Sequence, residues 1–338
     1  MCEKMIPTGG LLRFDKLAGF LRPYGYELYF FPLKESVVNV QGFQNGIILK
    51  GREVFQQNWD FTFVPGAGFS DEVIESFGDF SENNRFGKRI QFVLSDRSRL
   101  ERFLFVNREF QPVSVVFNNP WTKEDIGRFR AEFFYTIIGA VDCSFFTPGP
   151  GFEKERRSDR KEIVLGGQAH KNPWPIFSTM KYLPKNYILK MFGHHDGIIS
   201  DKRFQEYFPL YQEGRIRFAG YIFGDELLEF YRRVHAIVST ELFAGWSNMG
   251  AEALACGVPL FCTVHGTSAF AVDGETAVIL DKLTPQKLSK QIENTFKNPH
   301  LMHEMARRGR EKIREFDWPI YAEKVAMMLE EVHGSEAD

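Results

Sequence analysis

The stretch VHAIVSTELFAGWSNMGAEALACGVPLFCTVHGT, residues 234–267, decides the fold of this chain. Its pattern predicts a strand at Ala236–Ser239, a glycine-containing loop and a helix that opens near Asn248. A Gly-Val-Pro segment that ends the helix follows, and then a second apolar strand at Leu260–Val264. Two strands joined through a helix form a βαβ unit with parallel strands. The loop after the first strand therefore lies at the carboxyl end of the sheet, where open α/β sheets bind ligands.

The start of the predicted helix favours an anionic or hydroxyl-rich ligand. Ser247 or Asn248 can cap the helix, and the first amides of a helix have no partner within it. Glu252 follows one turn later, among small apolar residues. A carboxylate in that position loses hydration unless it meets hydroxyl or amide donors, and a ribose diol supplies two. The competing interpretation is an ordinary doubly wound domain with a capped helix and a stray glutamate.

Three segments resemble a known family. In order and spacing, residues 245–248, 252–259 and 272–277 resemble the donor-binding half of the retaining glycosyltransferases of family 4, which have the GT-B fold. The resemblance implies an α/β protein with two Rossmann-like, doubly wound domains that face each other across a cleft holding the donor. It also implies transfer of a sugar from a nucleotide-diphosphate donor to a hydroxyl acceptor, with retention of configuration.

Composition limits the class of protein. A chain of 338 residues suits two α/β domains. Hydrophobic content of 43% and charged content of 25% argue against disorder, and a net charge of -2 gives no basic footprint for nucleic acid. The four cysteines show no metal or disulfide spacing, and no apolar run reaches membrane-spanning or signal-peptide length. We therefore expect a cytoplasmic protein.

The 35 phenylalanines are unusual. They favour an aromatic-rich core. The clusters at 103–105 and 133–135 leave a second interpretation open, in which they line an acceptor groove or make a peripheral contact with the inner face of the membrane.

The sequence predicts three parts. Residues 1–150 form an N-terminal, acceptor-side Rossmann-like domain, and a linker rich in Gly, Pro and charge follows at 148–161. Residues 151–315 form the nucleotide-sugar-binding domain. Residues 316–338 form a C-terminal helix that, as the resemblance implies, crosses back to the first domain.

Gly9 and Gly10 are candidate donor contacts in the first domain. They precede a predicted helix at Leu11–Leu21, and a glycine loop at a helix start lets backbone amides approach a phosphate. The resemblance implies that this loop touches the donor diphosphate and the acceptor. A plain strand-to-helix turn is the alternative. Because only Met1–Ile6 precede the loop, the first strand of this domain is short or missing.

Asp96 ends a predicted strand at 89–96. It is a candidate contact to acceptor or sugar hydroxyls, and equally a helix N-cap for Arg97 onwards. The family's histidine at this strand end has no counterpart, because Ser95 occupies the place.

Lys171 lies near the position of a family lysine, in a loop predicted at 166–172. A cation there would stabilise the charge that grows on the leaving diphosphate. A solvent-facing loop lysine explains the residue nearly as well. Gly167 stands where the family has an arginine.

The resemblance also assigns the base and sugar contacts. Tyr221 and Ile222 end a predicted strand that, in the family, packs against the nucleotide base. The family often has a glutamate eight residues before Glu252, where this chain has Ala244; Glu241 lies three residues too early. Sugar specificity is therefore open.

The candidate catalytic residues are Lys171 and Asp96. The candidate donor-binding residues are Gly9, Gly10, Tyr221, Ile222, Gly245, Ser247, Asn248, Met249 and Glu252. The chain has no Asp-x-Asp pair, so we expect no metal and no cofactor beyond the nucleotide-diphosphate sugar as co-substrate. The expected partners are a UDP-, GDP- or TDP-linked sugar and a glycan or lipid-linked acceptor. Two alternatives are a catalytically weakened nucleotide-sugar-binding partner of another transferase and an enzyme such as a nucleotide-sugar epimerase.

Overall fold

The structure is a computed structural model that describes residues 9–30, 43–49, 57–64, 84–150, 162–280 and 284–335. The chain divides into two compact units. Unit 1 comprises Met1–Ala140 and Trp318–Asp338, and unit 2 comprises Val141–Asp317. The predicted Gly-Pro-rich linker lies largely outside the described residues.

Residues 141–150, which the sequence assigns to the first domain, group with unit 2. The Val141 amide donates to the Phe316 carbonyl at 3.0 Å. The Arg232 guanidinium donates to the Thr147 hydroxyl at 2.9 Å. These long-range hydrogen bonds fix the segment to unit 2, and no local sequence pattern reports them.

The described residues form short strands and helices in alternation. The strands are β1 Tyr29–Phe30, β2 Ile47–Ile48, β3 Phe61–Val64, β4 Lys88–Val93, β5 Ser114–Phe117, β6 Phe133–Thr136, β7 Ile163–Gln168, β8 Tyr187–Phe192, β9 Ile216–Gly220, β10 Ala236–Ser239, β11 Leu260–Cys262 and β12 Val278–Ile279. The helices are α1 Gly9–Leu21, α2 Leu100–Phe110, α3 Lys123–Ile126, α4 Trp174–Thr179, α5 Asp196–Ile199, α6 Phe208–Gln212, α7 Asp225–Arg233, α8 Asn248–Ala255, α9 Pro285–Phe296, α10 Pro299–Ile313 and α11 Trp318–Gly334. Among the described helices, none is both long and apolar enough to cross a bilayer.

Unit 1 is built on parallel strands. β1 pairs with β2, and β3 to β6 pair in sequential order. α1 buries Phe14, Leu17 and Leu21 in a core that also holds Trp318 and Val325 of α11. The helix predicted at residues 11–21 is confirmed, but it begins at Gly9. The two glycines therefore form the first turn of α1 and not a loop ahead of it.

Unit 2 contains one parallel sheet of six strands in the order β12-β11-β10-β7-β8-β9. The chain builds β7 to β9 in one direction and β10 to β12 in the other. The order thus reverses between the neighbouring strands β7 and β10. Such a switch point opens a crevice at the carboxyl ends of the two strands, where doubly wound sheets bind ligands.

The deciding stretch folds largely as predicted. β10 has the predicted bounds, α8 opens at Asn248, and β11 ends at Cys262, two residues before the predicted end. β10 and β11 are parallel, with Ile237 opposite Leu260. The βαβ prediction is therefore confirmed.

Gly166 and Gly167 lie inside β7, so the loop predicted at these residues begins later. A Cβ on Gly166 would come within 2.5 Å of Ile237, and one on Gly167 within 2.8 Å of the Met191 sulfur. The glycines therefore serve the close packing of β7 against its neighbours. Gly167 is a buried strand residue and not a loop residue.

Candidate functional site

The switch point brings two loops together. The loop after β7 carries Lys171 and Asn172, and the loop after β10 runs from Thr240 to Ser247. The Asn172 side-chain amide donates to the Thr240 carbonyl at 2.8 Å, and the Thr240 hydroxyl donates to the Asn172 carbonyl at 2.6 Å. This reciprocal pair fixes one loop against the other.

The start of α8 has the predicted cap. The Ser247 hydroxyl accepts a hydrogen bond of 3.2 Å from the Gly250 amide. Asn248 is exposed, whereas Met249 and Gly245 are buried. The first turn of α8 therefore keeps backbone donors and a positive dipole end beside the switch point.

Gly266 supports this turn from the neighbouring loop. Its carbonyl accepts from the Ser247 amide at 2.8 Å. Its φ is +73°, and a Cβ there would lie 2.8 Å from the Ser247 nitrogen. Only glycine fits. Sequence reasoning missed Gly266, although it lies within the deciding stretch, because a lone glycine after a strand indicates only a turn.

Lys171 and Glu241 form an ion pair across the two loops. The Lys171 Nζ lies 3.7 Å from the Glu241 Oε1. The Lys171 side chain is about one-third exposed, with a relative exposure of 37%, whereas that of Glu241 is 3%. Lys171 therefore combines a buried anionic partner with access to solvent, and its role at the diphosphate stays a prediction.

Glu241 is a buried carboxylate that the pattern passed over. Its Oε2 is buried without a hydrogen-bond partner. Burial raises the pKa of Glu241, and the Lys171 ammonium and the Ser247 hydroxyl oppose that rise. The sequence signal for Glu241 is its position two residues after a buried strand. That signal is weak, because a glutamate in a loop is ordinarily expected to be solvated.

Glu252 faces α7. Its Oε2 accepts a hydrogen bond of 2.7 Å from the hydroxyl of Tyr231, which is fully buried. Glu252 itself is half-buried. The desolvation of this carboxylate is thus offset within the protein by a phenol donor. Tyr231 gave no signal in the sequence, because an aromatic residue on a helix is most simply a core residue.

Tyr221 and Ile222 follow β9 on the same edge of the sheet. Tyr221 is 61% exposed and stacks on His194, with ring centroids 4.9 Å apart and planes at 21°. Exposed Phe223 lies beside it, at 6.1 Å between centroids. Ile222 is half-buried. An exposed, stacked aromatic group of this kind suits a planar ring as ligand.

The candidates in unit 1 occupy helix starts. Gly9 and Gly10 open α1. Asp96 caps the turn Arg97–Arg99, where its carboxylate accepts from the Ser98 amide at 3.1 Å and from the Ser98 hydroxyl. The capping interpretation of Asp96 is therefore confirmed, and its contact to sugar hydroxyls stays a prediction. The described residues contain no group of three or more His, Cys, Asp and Glu side chains arranged for a metal ion.

Residues 183–298 match the family model described as Glycosyl transferases group 1. This stretch is similar to a group 1 glycosyltransferase domain. It runs from four residues before β8 to two residues after α9 and includes Glu241, the capped helix α8 and Glu252.

Curated relatives match about a third of the chain. Mannosylfructose-phosphate synthase of Agrobacterium fabrum is 27% identical over 120 residues, which are 35% of this chain and 26% of that protein. O-antigen chain mannosyltransferase B of Escherichia coli is 26% identical over 107 residues, which are 32% of this chain and 28% of that protein. The chain spans less than a third of the length of the curated relatives it matches.

Solved structures match almost the whole chain. The crystal structure of Anabaena Alr3699/HepE in complex with UDP-glucose has a TM-score of 0.77 at 14% identity and covers 97% of this chain and 98% of that one. Sucrose-phosphate synthase from Thermosynechococcus elongatus has a TM-score of 0.74 at 16% identity and covers 97% and 94%. The chain has the GT-B fold, as the sequence predicts.

Proposed function

We propose that this chain is a glycosyltransferase that moves a sugar from a nucleotide-diphosphate donor to a hydroxyl of a glycan, lipid-linked glycan or other acceptor. One observation carries the proposal. The switch point of the group 1 domain joins an accessible lysine, a buried glutamate and the capped start of a helix at one crevice. An anionic, hydroxyl-rich ligand matches these groups.

The donor diphosphate would lie at the start of α8. Backbone amides of Asn248 and Met249 and the helix dipole favour negative charge there. Lys171 would add a cation, whose value is greatest as the sugar-phosphate bond breaks and charge grows on the leaving group. The transition state would be oxocarbenium-like, as in glycoside hydrolysis.

Glu252 would accept hydrogen bonds from the ribose hydroxyls. Its bond from Tyr231 holds the carboxylate in one orientation. Tyr221 and Ile222 would contact the base. Because Anabaena Alr3699/HepE has a crystal structure in complex with UDP-glucose, UDP-sugars are the first donors to test.

Three finer features belong to the proposal. Retention of configuration follows from the resemblance to family 4. Metal independence is supported by the charge that Lys171 and α8 supply and by the lack of an Asp-x-Asp pair in the sequence. Gly9, Gly10 and Asp96 would serve donor and acceptor from unit 1.

The test is a transfer assay. Purified chain is incubated with UDP-, GDP- and TDP-linked sugars that carry a radiolabelled sugar, and released or transferred label is counted. We expect turnover with one donor that falls in Lys171→Ala but not in Lys202→Ala, an exposed lysine elsewhere in unit 2. Binding of a donor without any turnover would replace this proposal with a nucleotide-sugar-binding partner.

A further inference from the structure

We propose that Glu241 positions Lys171 for the donor diphosphate and takes up a proton from solvent when that diphosphate binds. The inference rests on the proposed function, because it needs an anionic ligand at the start of α8. The resemblance to family 4 gives Glu241 no role, since this glutamate lies three residues too early in the sequence.

The backbones beside the ion pair are fixed by contacts between loops. Asn172, which follows Lys171, has a φ of +53°, in the left-handed region that asparagine tolerates better than most residues. Reciprocal hydrogen bonds join Asn172 to Thr240, which precedes Glu241. The hydroxyl of Thr263, from the loop after β11, donates to the Glu241 carbonyl. Both side chains of the pair therefore leave the backbone at positions that these contacts set.

The ion pair restrains Lys171 before a ligand arrives. A lysine side chain loses considerable conformational freedom when it is ordered. The Lys171 Nζ lies 3.7 Å from the Oε1 of Glu241, whose side chain is 3% exposed and so is itself held in place. The hydroxyl of Ser247, which caps α8, also stabilises the charged form of Glu241. The carboxylate therefore holds the ammonium beside the start of α8, where we place the diphosphate.

A diphosphate in contact with Lys171 brings negative charge close to Glu241. A phosphate oxygen that accepts from Nζ at about 2.8 Å lies no more than about 7 Å from the Glu241 Oε1. A like charge at such a distance disfavours the ionised carboxylate. The Glu241 Oε2 is buried without a hydrogen-bond partner, so a shift of the ammonium towards phosphate removes the main compensation for this charge. Uptake of a proton from solvent neutralises the buried carboxylate.

Three titratable groups from other elements surround Glu241. Tyr231 of α7 and Cys262 of β11 interact with its charge. Burial raises the pKa of Tyr231 well above its ordinary value and raises the pKa of Cys262 to about 12, so both groups stay neutral near pH 7. Glu252 of α8 accepts from the Tyr231 hydroxyl and is assigned to the ribose, whose hydroxyls bring no charge.

His170 is the alternative site of proton uptake. It precedes Lys171, and partial burial, the charge of Lys171 and that of His194 lower its pKa. A phosphate nearby would raise that pKa and would also draw in a proton. The two sources are separated by substituting one residue at a time.

The experiment is isothermal titration of the full chain with UDP-glucose, GDP-mannose and TDP-glucose, in buffers of different ionisation enthalpy at the same pH. These diphosphates are diesters, so the sugar nucleotides lack the terminal phosphate that titrates near pH 6 in a free nucleotide. For the donor that binds, we expect uptake of about 0.3 to 1 proton at the pH of largest effect. Its affinity should fall as pH rises, by at most about tenfold per pH unit.

Glu241→Gln should abolish the proton uptake. It should lower kcat for sugar release or transfer at least about fivefold, while donor affinity changes less than about threefold, because the cation remains but is no longer positioned. His170→Gln should keep the uptake. Glu213→Gln, at an exposed position of unit 2, should keep the uptake and kcat.

Three results would overturn the inference while leaving the donor site in place. These are donor binding without proton uptake, uptake that persists in Glu241→Gln, and an unchanged kcat in Glu241→Gln. Failure of all three sugar nucleotides to bind would instead contradict the proposed function, and the inference would fall with it.

Discussion

The Tyr231 hydroxyl donates a hydrogen bond of 2.7 Å to the Glu252 carboxylate. Tyr231 is fully buried, and burial and the charge of Glu252 raise its pKa well above the ordinary value. The phenol therefore stays protonated and acts as a permanent donor. A core residue of α7 thus orients the carboxylate that we assign to the ribose.

Removing this hydroxyl should weaken nucleotide binding. In Tyr231→Phe the ring still fills the core, but Glu252 loses the donor that orients it. We expect nucleotide affinity to fall about three- to tenfold, the usual net value of one hydrogen bond. Isothermal titration with the preferred nucleotide measures it. Tyr187→Phe, a buried tyrosine elsewhere in unit 2, is the matched control and should bind as the native chain does.

Lys171→Ala should lower turnover more than it lowers nucleotide affinity, because leaving-group charge is largest in the transition state. We expect at least about a tenfold loss of kcat, with partial recovery in Lys171→Arg. Since the change also strips Glu241 of its cation, the double variant Lys171→Ala/Glu241→Gln is the control for a buried unpaired charge. An unaltered kcat in both would return Lys171 to a structural role.

Glu241 should make stability depend on pH. Burial raises the folded pKa of Glu241 above its ordinary value, so in the pH range between the two the folded state holds a proton that the unfolded state releases. The native chain therefore loses stability as pH rises from the unfolded pKa to the folded one, and the loss is complete above it. Glu241→Gln removes this loss. Its melting temperature relative to the native chain should increase through that window, as measured by calorimetry between pH 4.5 and 8.

The opposite trend would be a melting temperature of Glu241→Gln that falls relative to the native chain as pH rises. It would mean that the ion pair with Lys171 stabilises the charged form of Glu241 by more than burial destabilises it. Glu213→Gln, at an exposed position in the same unit, is the control for changes in net charge.

Gly266→Ala should destabilise the chain by strain and by collision. A Cβ would lie 2.8 Å from the Ser247 nitrogen, at a φ of +73°. Gly274 has nearly the same φ, +72°, with nothing within 4 Å of its Cβ position. Gly274→Ala therefore measures the backbone cost, about 1 kcal/mol, and Gly266→Ala should cost about 1–3 kcal/mol more. Urea unfolding of both variants measures the loss in the free energy of unfolding. Equal losses in the two variants would contradict the close contact at Gly266.

The fold was accessible from the sequence wherever local patterns determine structure. The apolar strand pattern, the helix cap at Ser247 and the Gly-Val-Pro segment that ends the helix predicted β10, α8 and β11. These predictions were possible because helix caps and strand ends depend on residues that are adjacent in the sequence. Gly167 was misplaced in a loop, because the reason for that glycine is the Met191 side chain of another strand.

The candidate site was accessible only in part for the same reason. Lys171 and Glu252 stood out by type and position, but their partners Glu241 and Tyr231 come from other elements of unit 2. Glu241 lies 70 residues after Lys171 in the sequence, and only the order of strands in the sheet brings them to 3.7 Å. Sheet order at a switch point cannot be obtained from spacing along the chain.

The most direct test of the central claim is a thermal-shift panel of the native chain and Glu252→Ala against UDP, GDP, TDP, ADP and CMP. A ligand that binds only the folded state raises the melting temperature. We predict a clear shift for one nucleotide diphosphate, and a smaller shift in Glu252→Ala that corresponds to about 1–3 kcal/mol of lost binding. No shift with any nucleotide, or an equal shift in the variant, would contradict the donor site.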